Sequence, residues 1–428
     1  MNAPVAYDLS RLLQRSFAAG PNGIDRIDIN LARHFLGAGG TQNCGLILKR
    51  LRPALIGRRA GAAVLDVVEG AWRENADLAG DRIFQELRRR LIRAPDDMQA
   101  SGEMPARING PPVARAATAI QLAAALLPQL PVFRQLPENS VFIHATQFPT
   151  MRSFRWLDRR PDVKPVFFIH DLLPMRFPDF FTAENAEWHR QFLEIFLRYG
   201  RAAIVNSATV KNDLAVFLQA RPGDGKRILV APMPASPIFA GATPPDAELQ
   251  AQPYFVVCGT IEPRKNHLLL LKVWQELVRS EGASAPKLAI IGRRGWKNRE
   301  VIDLLDNAPW VASHVVEVAG LSSKAMKHIV ANACALLMPS FAEGYGLPIV
   351  EAMATGTPVV ASEIAVFWET FGARVEYCDP DDTAAWLKTV RTHAGANLQS
   401  LRTKQTVSEN RAAWDAYFRN VTGFIDGL

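Results

Sequence analysis

The sequence predicts an α/β protein made of two doubly wound units, each a parallel sheet with helices on both faces. Three observations lead there. From about residue 139, short apolar runs recur, each followed by a polar turn and then a helical pattern; VFIHAT, VFFIHD and AAIVNS read as buried strands. A stretch dense in proline and alanine, PMPASPIFAGATPPDAELQAQP, then interrupts the pattern, and a second series follows it: YFVVCGT, KLAIIG, VVEVAG, ALLMPS and TPVVAS. Finally, 428 residues exceed one ordinary core, since a domain takes roughly 150. Alternating strands and helices imply parallel sheets, whose ligands bind beyond the carboxyl ends of the strands. The expected boundaries are a first unit at 1–235, a linker at 236–253, a second unit at 254–405, and an aromatic-bearing helix at 406–428 that packs back on the first. Two such units leave a cleft between them.

Each element has its own signal. GPNGIDRIDINLARHFL reads as a glycine-containing turn feeding an amphipathic helix, with Ile27, Leu31 and Phe35 at helical spacing. Residues 49–115 are rich in arginine and carry no clear pattern. Within them, FQELRRRLIRA sets Arg88, Arg89, Arg90 and Arg93 beside Phe84, Leu87 and Leu91. That is a basic amphipathic helix, either solvated or laid on an anionic membrane surface, and the solvated reading is preferred. Ser207 is placed to cap the helix bearing Val210, Leu214 and Phe217. In the second series IEPRKN is a loop and HLLLLKVWQELV a helix.

Composition narrows the function. A hydrophobic content of 48% with 21% charged residues is that of a folded globular chain. The net charge of +7 suits an anionic ligand or surface, and equally a plain soluble protein. Cys44, Cys258, Cys334 and Cys378 are too far apart in sequence for a metal-ligand pair or a redox motif, and Cys258 and Cys334 lie in apolar runs as buried thiols. No signal peptide or membrane span is evident, so a cytoplasmic location is expected. No dinucleotide fingerprint, phosphate loop, metalloprotease helix or nucleophile elbow occurs.

Three segments can carry chemistry. In ALLMPSFAEGYGLPIVEAMATGTPVVAS a strand ends at Ser340, a loop with two glycines follows, Pro348 suits the first turn of a helix and Gly356 its exit. The helix start presents free N–H groups to the loop. Glu343 lies in the loop and Glu351 in the first helical turns, so the two flank a ligand whose hydroxyls each can accept. The alternative is two solvated glutamates near a helix start. In CGTIEPRKNHLLLL, Arg264 and Lys265 can neutralise a diphosphate, or form an exposed basic turn. In VFFIHDLLPMRFP, His170 ends a strand, either as a functional imidazole or as a satisfied structural one. Arg293 and Arg294 in IIGRRGW are phosphate-facing or exposed. The Asp-x-Asp of DPDD at 379–382 reads better as a turn and helix cap than as a metal site.

These segments make the chain resemble the family-4 retaining glycosyltransferases of the GT-B fold. PSFAEGYGLPIVEAMATGTPVVAS matches the family's two glutamates seven residues apart, GTIEPRKN resembles the donor-phosphate loop of bacterial polysaccharide enzymes, and HDLLP and NGIDRI resemble N-terminal motifs of the group. The resemblance implies two Rossmann-like domains with parallel sheets facing across a cleft. It implies that Glu351 binds the ribose hydroxyls of a nucleotide-sugar donor and Glu343 the hydroxyls of the transferred sugar. Arg264 and Lys265 would hold the diphosphate, and His170 would contact the sugar near the reacting carbon. Gly23 would approach the phosphates from the first domain, Leu321 would lie near the base, and Thr260, Gly344, Tyr345, Gly346 and Leu347 would line the donor. Thr260 and Asn266 depart from the family's usual Gly-Arg and Lys-Gly pairs, and Arg264 would supply the missing cation.

The implied function is retaining transfer of a hexose from a nucleotide-diphosphate sugar to a saccharide or lipid-linked saccharide, in synthesis of a surface polysaccharide such as lipopolysaccharide. GDP-mannose is the favoured donor. No metal, resident cofactor or nucleic acid is expected, and peripheral contact with the inner face of the membrane remains open. The alternatives are a sugar-nucleotide epimerase on the same architecture and a non-catalytic subunit of a polysaccharide assembly complex.

Overall fold

The computed structural model describes residues 3–18, 20–37, 42–48, 53–72, 77–95, 107–109, 115–126, 129–131, 136–146, 151–219, 225–396 and 407–428. In chain order the strands are β1 Val5–Asp8, β2 Cys44–Ile47, β3 Ala54–Gly57, β4 Arg107–Asn109, β5 Gln129–Pro131, β6 Val141–His144, β7 Lys164–Ile169, β8 Ala202–Val205, β9 Arg227–Val230, β10 Tyr254–Cys258, β11 Lys287–Ile291, β12 Val315–Ala319, β13 Leu336–Met338, β14 Val359–Ser362 and β15 Glu376–Cys378. They form two sheets, ordered β5-β3-β2-β1-β6-β7-β8-β9 and β15-β14-β13-β10-β11-β12-β4. The second is parallel throughout. The first is parallel except where β3 pairs with β2 and β5. All-parallel pairing explains the unbroken apolar runs, because such strands are covered on both faces.

The chain divides into two compact units, and the division is not the linear one expected. One unit comprises Met1–Asn75, Pro112–Pro234 and Ala412–Leu428; the other comprises Ala76–Pro111 and Ala235–Arg411. The expected first domain, 1–235, therefore gives up an internal segment. That segment adds β4 to the edge of the second sheet, in parallel register with β12. Its helix Arg82–Ile92, capped by Asp81, buries Ile83, Phe84, Leu87 and Leu91 in the second unit's core.

The arginines of this helix divide: Arg82 and Arg89 are exposed, as the solvated reading expects, while Arg88 and Arg90 are half-buried in ion pairs. Arg88 pairs with Asp246 at 2.7 Å and also with Glu248. Arg89 and Arg90 pair with Glu86 at 2.8 and 2.7 Å. The expected linker at 236–253 is likewise packed. Phe239 and Leu249 are fully buried in the same core, and Asp246 caps a short helix, Ala247–Ala251.

In the first unit the core lies on the face of the sheet that carries Phe142, Phe167, Ala203 and Val205, under Phe154, Phe192 and Phe196. Ser207 accepts from the Val210 N–H at 3.1 Å, the expected cap. The C-terminal helix Val407–Asp426 joins this unit from Ala412 onward, where Phe418 stacks on His34 at 3.6 Å. The expected boundary at 405–406 lies outside the described residues, as do several residues of the 49–115 stretch. Among the described residues, no helix is long and apolar enough to cross a membrane.

Truncating Leu87 to alanine should cost about 3 kcal/mol, the usual penalty for a cavity in a core. A denaturant melt of the full chain checks it; an unchanged midpoint would remove the helix from the second unit's core.

Candidate functional site

In the second sheet the strand order reverses between β10 and β13: β11 and β12 lie to one side, β14 and β15 to the other. Loops leaving neighbouring strands at such a point turn opposite ways and open a crevice beyond the strand ends. The loop after β10 is GTIEPRKN and the loop after β13 is PSFAEGYG. The topology thus brings together two of the three segments singled out from sequence.

The loops are joined by backbone and by charge. The Phe341 N–H donates to the Arg264 carbonyl at 2.8 Å, and Arg264 Nη1 donates to the Ala342 carbonyl at 3.0 Å. Glu343 receives both cations, one on each carboxylate oxygen: Oε2 lies 2.7 Å from Arg264 Nη1 and Oε1 2.5 Å from Lys265 Nζ. Ser340 Oγ donates to Oε1 at 2.8 Å. Glu262 pairs with Arg264 Nε at 2.8 Å. The Glu343 side chain is only 9% exposed. Burial alone would raise its pKa, but Arg264 and Lys265 outweigh burial and hold the carboxyl down at about 2.

Backbone conformation fixes the turn. Gly346 has φ +113°, and a Cβ there would stand 2.9 Å from Phe367 Cε1. Glycine is required on both counts. It opens the helix Leu347–Thr355, with Pro348 in the first turn and Gly356 closing it in the left-handed region. Glu351 is buried on this helix. Gly344 and Tyr345 are buried in the turn, and Leu347 is half-buried. The Tyr345 ring lies 6.3 Å from that of Phe371.

On the facing loop Gly259 (φ +142°) lies against the Lys265 side chain, Thr260 follows it half-buried, and Asn266 takes a left-handed turn at φ 54°. Asn266 Nδ2 donates to the Pro380 carbonyl at 2.9 Å, tying this loop to DPDD. Leu321 follows β12 and packs in the core.

The remaining candidates divide. Arg294 is engaged by Glu317 and Asp306 at 2.7 and 2.6 Å, so it braces the sheet end and does not face a phosphate. Arg293 is exposed. Asp379 Oδ1 accepts from the Asp381 N–H, and Asp382 accepts from the Ala385 N–H to cap Thr383–Ala394. DPDD is therefore a turn and cap.

His170 and Gly23 belong to the first unit. His170 Nε2 lies 3.0 Å from the Ala145 carbonyl and Nδ1 lies 3.4 Å from Asn206 Nδ2. The Ala145 carbonyl accepts and the Asn206 amide nitrogen donates, which suits a ring donating through Nε2 and accepting at Nδ1; burial lowers its pKa, favouring that neutral form. Gly23 begins the helix Gly23–Gly37, where Asn22 and Asp25 each accept the other's N–H at 2.9 Å.

Sequence reasoning missed three residues beside the cations. Glu262 and Ser340 orient Arg264 and Glu343, and their place within the two motifs was the available signal. His267, buried at the start of its helix, has neither ring nitrogen hydrogen-bonded. Burial, with Lys265 and Arg264 nearby, lowers its pKa to about 3, so it adds no charge. In the first unit, Asp8 and His144 also went unnoticed; they close the strand ends at β1 and β6 with a 2.7 Å contact.

Residues 252–393 match the family described as Glycosyl transferases group 1. The serotype-specific mannosyltransferase WbdA of Escherichia coli is 28% identical over 216 residues, 47% of this chain and 26% of its own length. The O-antigen chain mannosyltransferase RfbU of Salmonella typhimurium is 27% identical over 231 residues, 52% of this chain and 59% of its own. The matched region thus spans about a quarter to three-fifths of these relatives. Among solved structures, HepE of Anabaena superposes over 100% of both chains with a TM-score of 0.60 at 14% identity. Sucrose-phosphate synthase of Thermosynechococcus elongatus covers 73% of this chain and 78% of its own, with a TM-score of 0.52 at 17% identity. The likeness shows the fold, which is GT-B.

The Glu343 cluster predicts an acid limb in stability. A carboxyl whose pKa falls from 4.5 to about 2 on folding contributes about 3 kcal/mol, present in full above pH 4.5 and lost as pH falls through 2. Denaturant melts between pH 6 and pH 2 should show that loss in the wild type and a flatter profile in Glu343→Gln; parallel profiles would contradict the pairing.

Proposed function

We propose that this chain, whose residues 252–393 carry a group 1 glycosyl transferase domain, transfers a hexose from a nucleotide-diphosphate sugar to a saccharide or lipid-linked saccharide acceptor in surface polysaccharide synthesis. The observation that carries the reading is the placing of Arg264, Lys265 and Glu343 at the strand-order reversal of the second sheet, beside the N-terminus of the helix bearing Glu351. A nucleoside diphosphate leaves with growing negative charge, and fixed cations stabilise it best. Arg264 and Lys265 take that role. Glu351 accepts from the ribose hydroxyls and Glu343 from the sugar, while Thr260, Gly344, Tyr345, Gly346 and Leu347 line the donor and Leu321 lies near its base. His170 contacts the sugar near the reacting carbon, and Gly23 approaches the phosphates.

Transfer proceeds with retention. The acceptor hydroxyl attacks the anomeric carbon from the face the diphosphate leaves; the carbon–oxygen bond to phosphate breaks, and the departing phosphate oxygen takes the hydroxyl proton. The protein contributes positioning and charge stabilisation. No resident cofactor or metal is required in this scheme, and Asp379 and Asp382 are already engaged by backbone N–H groups. The mannosyltransferase relatives favour mannose, and with it GDP-mannose as donor. The setting is the cytoplasm at the inner face of the membrane, where a net charge of +7 favours contact with anionic lipid. An epimerase would convert donor without forming a glycoside, and a non-catalytic subunit would turn over neither.

Two measurements test this. Replacing Arg264 and Lys265 together by alanine should lower kcat about a hundredfold or more with any accepted donor; wild-type turnover in a folded double variant would sink the diphosphate assignment. Glu351→Ala should weaken nucleotide binding in calorimetry by about tenfold, or ~1.4 kcal/mol, and unchanged affinity would remove its ribose role. Both assays should run at full strength in excess EDTA.

A further inference from the structure

The two cations meant for a diphosphate are already neutralised. Arg264 and Lys265 carry two positive charges, while Glu343 and Glu262 carry two negative ones within 2.8 Å of them. Each oxygen of Glu343 holds a different cation, and Ser340 fixes one of those oxygens. Glu262 sits on the Nε side of Arg264, away from Nη1, which is the side Glu343 occupies. A diphosphate group brings further negative charge, and like charges sharing one small buried site repel strongly. Diphosphate and Glu343 cannot both occupy Arg264 Nη1 and Lys265 Nζ.

We infer that Glu343 is an intramolecular competitor of the diphosphate, a carboxylate that holds Arg264 and Lys265 in the free protein, yields them to the incoming donor, and reclaims them to expel the nucleoside diphosphate after transfer. The inference rests on the proposed donor site and adds a second role to Glu343. Three features suit it. Glu343 lies in the turn between Ser340 and Gly346, and it meets both cations through its side chain alone. Its low pKa keeps it charged, and so competitive, throughout the working range of pH. The Phe341 N–H to Arg264 carbonyl bond holds the two loops together, so the carboxylate stays at high effective concentration once displaced. Glu262 keeps the Arg264 fork oriented while Nη1 changes partners.

The competitor role makes a prediction opposite in sign to that of a simple sugar contact. A nucleoside diphosphate has no sugar to lose, so neutralising Glu343 should tighten its binding. Binding of GDP and UDP is measured by calorimetry, and their release by stopped-flow, for wild type, Glu343→Gln and Glu343→Asp. Glu343→Gln preserves shape and removes the charge; it should bind the preferred diphosphate about tenfold more tightly or better, with most of the change in slower release. Glu343→Asp, too short to span both cations, should fall between. Thermal melts with and without diphosphate accompany these, and the ligand-induced rise in Tm should be larger in Glu343→Gln than in wild type. Equal or weaker binding by both variants, with wild type binding normally, would overturn the competitor role and leave the donor site standing. Binding of neither diphosphate by any of the three proteins would overturn both.

Discussion

Everything around the candidate site depends on one carboxylate being buried between two cations. A charge taken out of water must be matched by partners of good geometry, or the fold loses several kcal/mol. Glu343 meets that condition with Arg264, Lys265 and Ser340, and each partner in turn is fixed by something else. Arg264 is steadied by Glu262 and by the Ala342 carbonyl. The Lys265 side chain runs beside Gly259, where a larger residue would crowd it. Gly346 turns the chain into the next helix at a place where no other residue fits against Phe367. The order of strands supplies the remaining condition, since only at the reversal between β10 and β13 do these two loops leave adjacent strand ends.

Much of this was legible in the sequence because it is local. The turn with its two glycines, Pro348 and Gly356 signals a strand-to-helix junction from residue chemistry alone, and the structure forms it as the helix Leu347–Thr355. The apolar runs after residue 139 all became strands for a similarly simple reason, burial on both faces of a parallel sheet. What sequence could not show is pairing at long range. Arg88 reads as a solvated or membrane-facing charge because its partner, Asp246, lies 158 residues on. Phe239 and Leu249 were hidden in a stretch whose prolines and alanines look like a linker, yet both are core residues. At the site itself, the motifs located Arg264, Lys265 and Glu343, but their direct ion pairing is a fact of topology and had no sequence signal.

The first unit shows the same construction at its own strand-order reversal, between β1 and β6. Asp8 and His144 end those strands and meet at 2.7 Å, fully buried, with the His144 ring edge-on to Phe154 and Phe167. Ser10 donates to the other Asp8 oxygen, and the Leu48 N–H donates to Ser10, so the pair is knitted into the strand ends. His170, one strand along, is held through both ring nitrogens. Polar groups at these strand ends thus brace that edge of the sheet.

The excursion of residues 76–111 into the second unit bears on how the chain is made. The helix Arg82–Ile92 leaves the ribosome long before β10, β11 and β12 exist. Until Asp246 and the strands behind it are synthesised, Leu87 and Leu91 have no core to enter and Arg88 has no carboxylate to meet. Contacts of such sequence separation form late, because a long loop must close first. Nascent chain caught in that interval displays an apolar stripe, the kind of surface that chaperones bind and that associates with its own copies. A helix made early therefore waits for the sheet of its own unit, which is translated later.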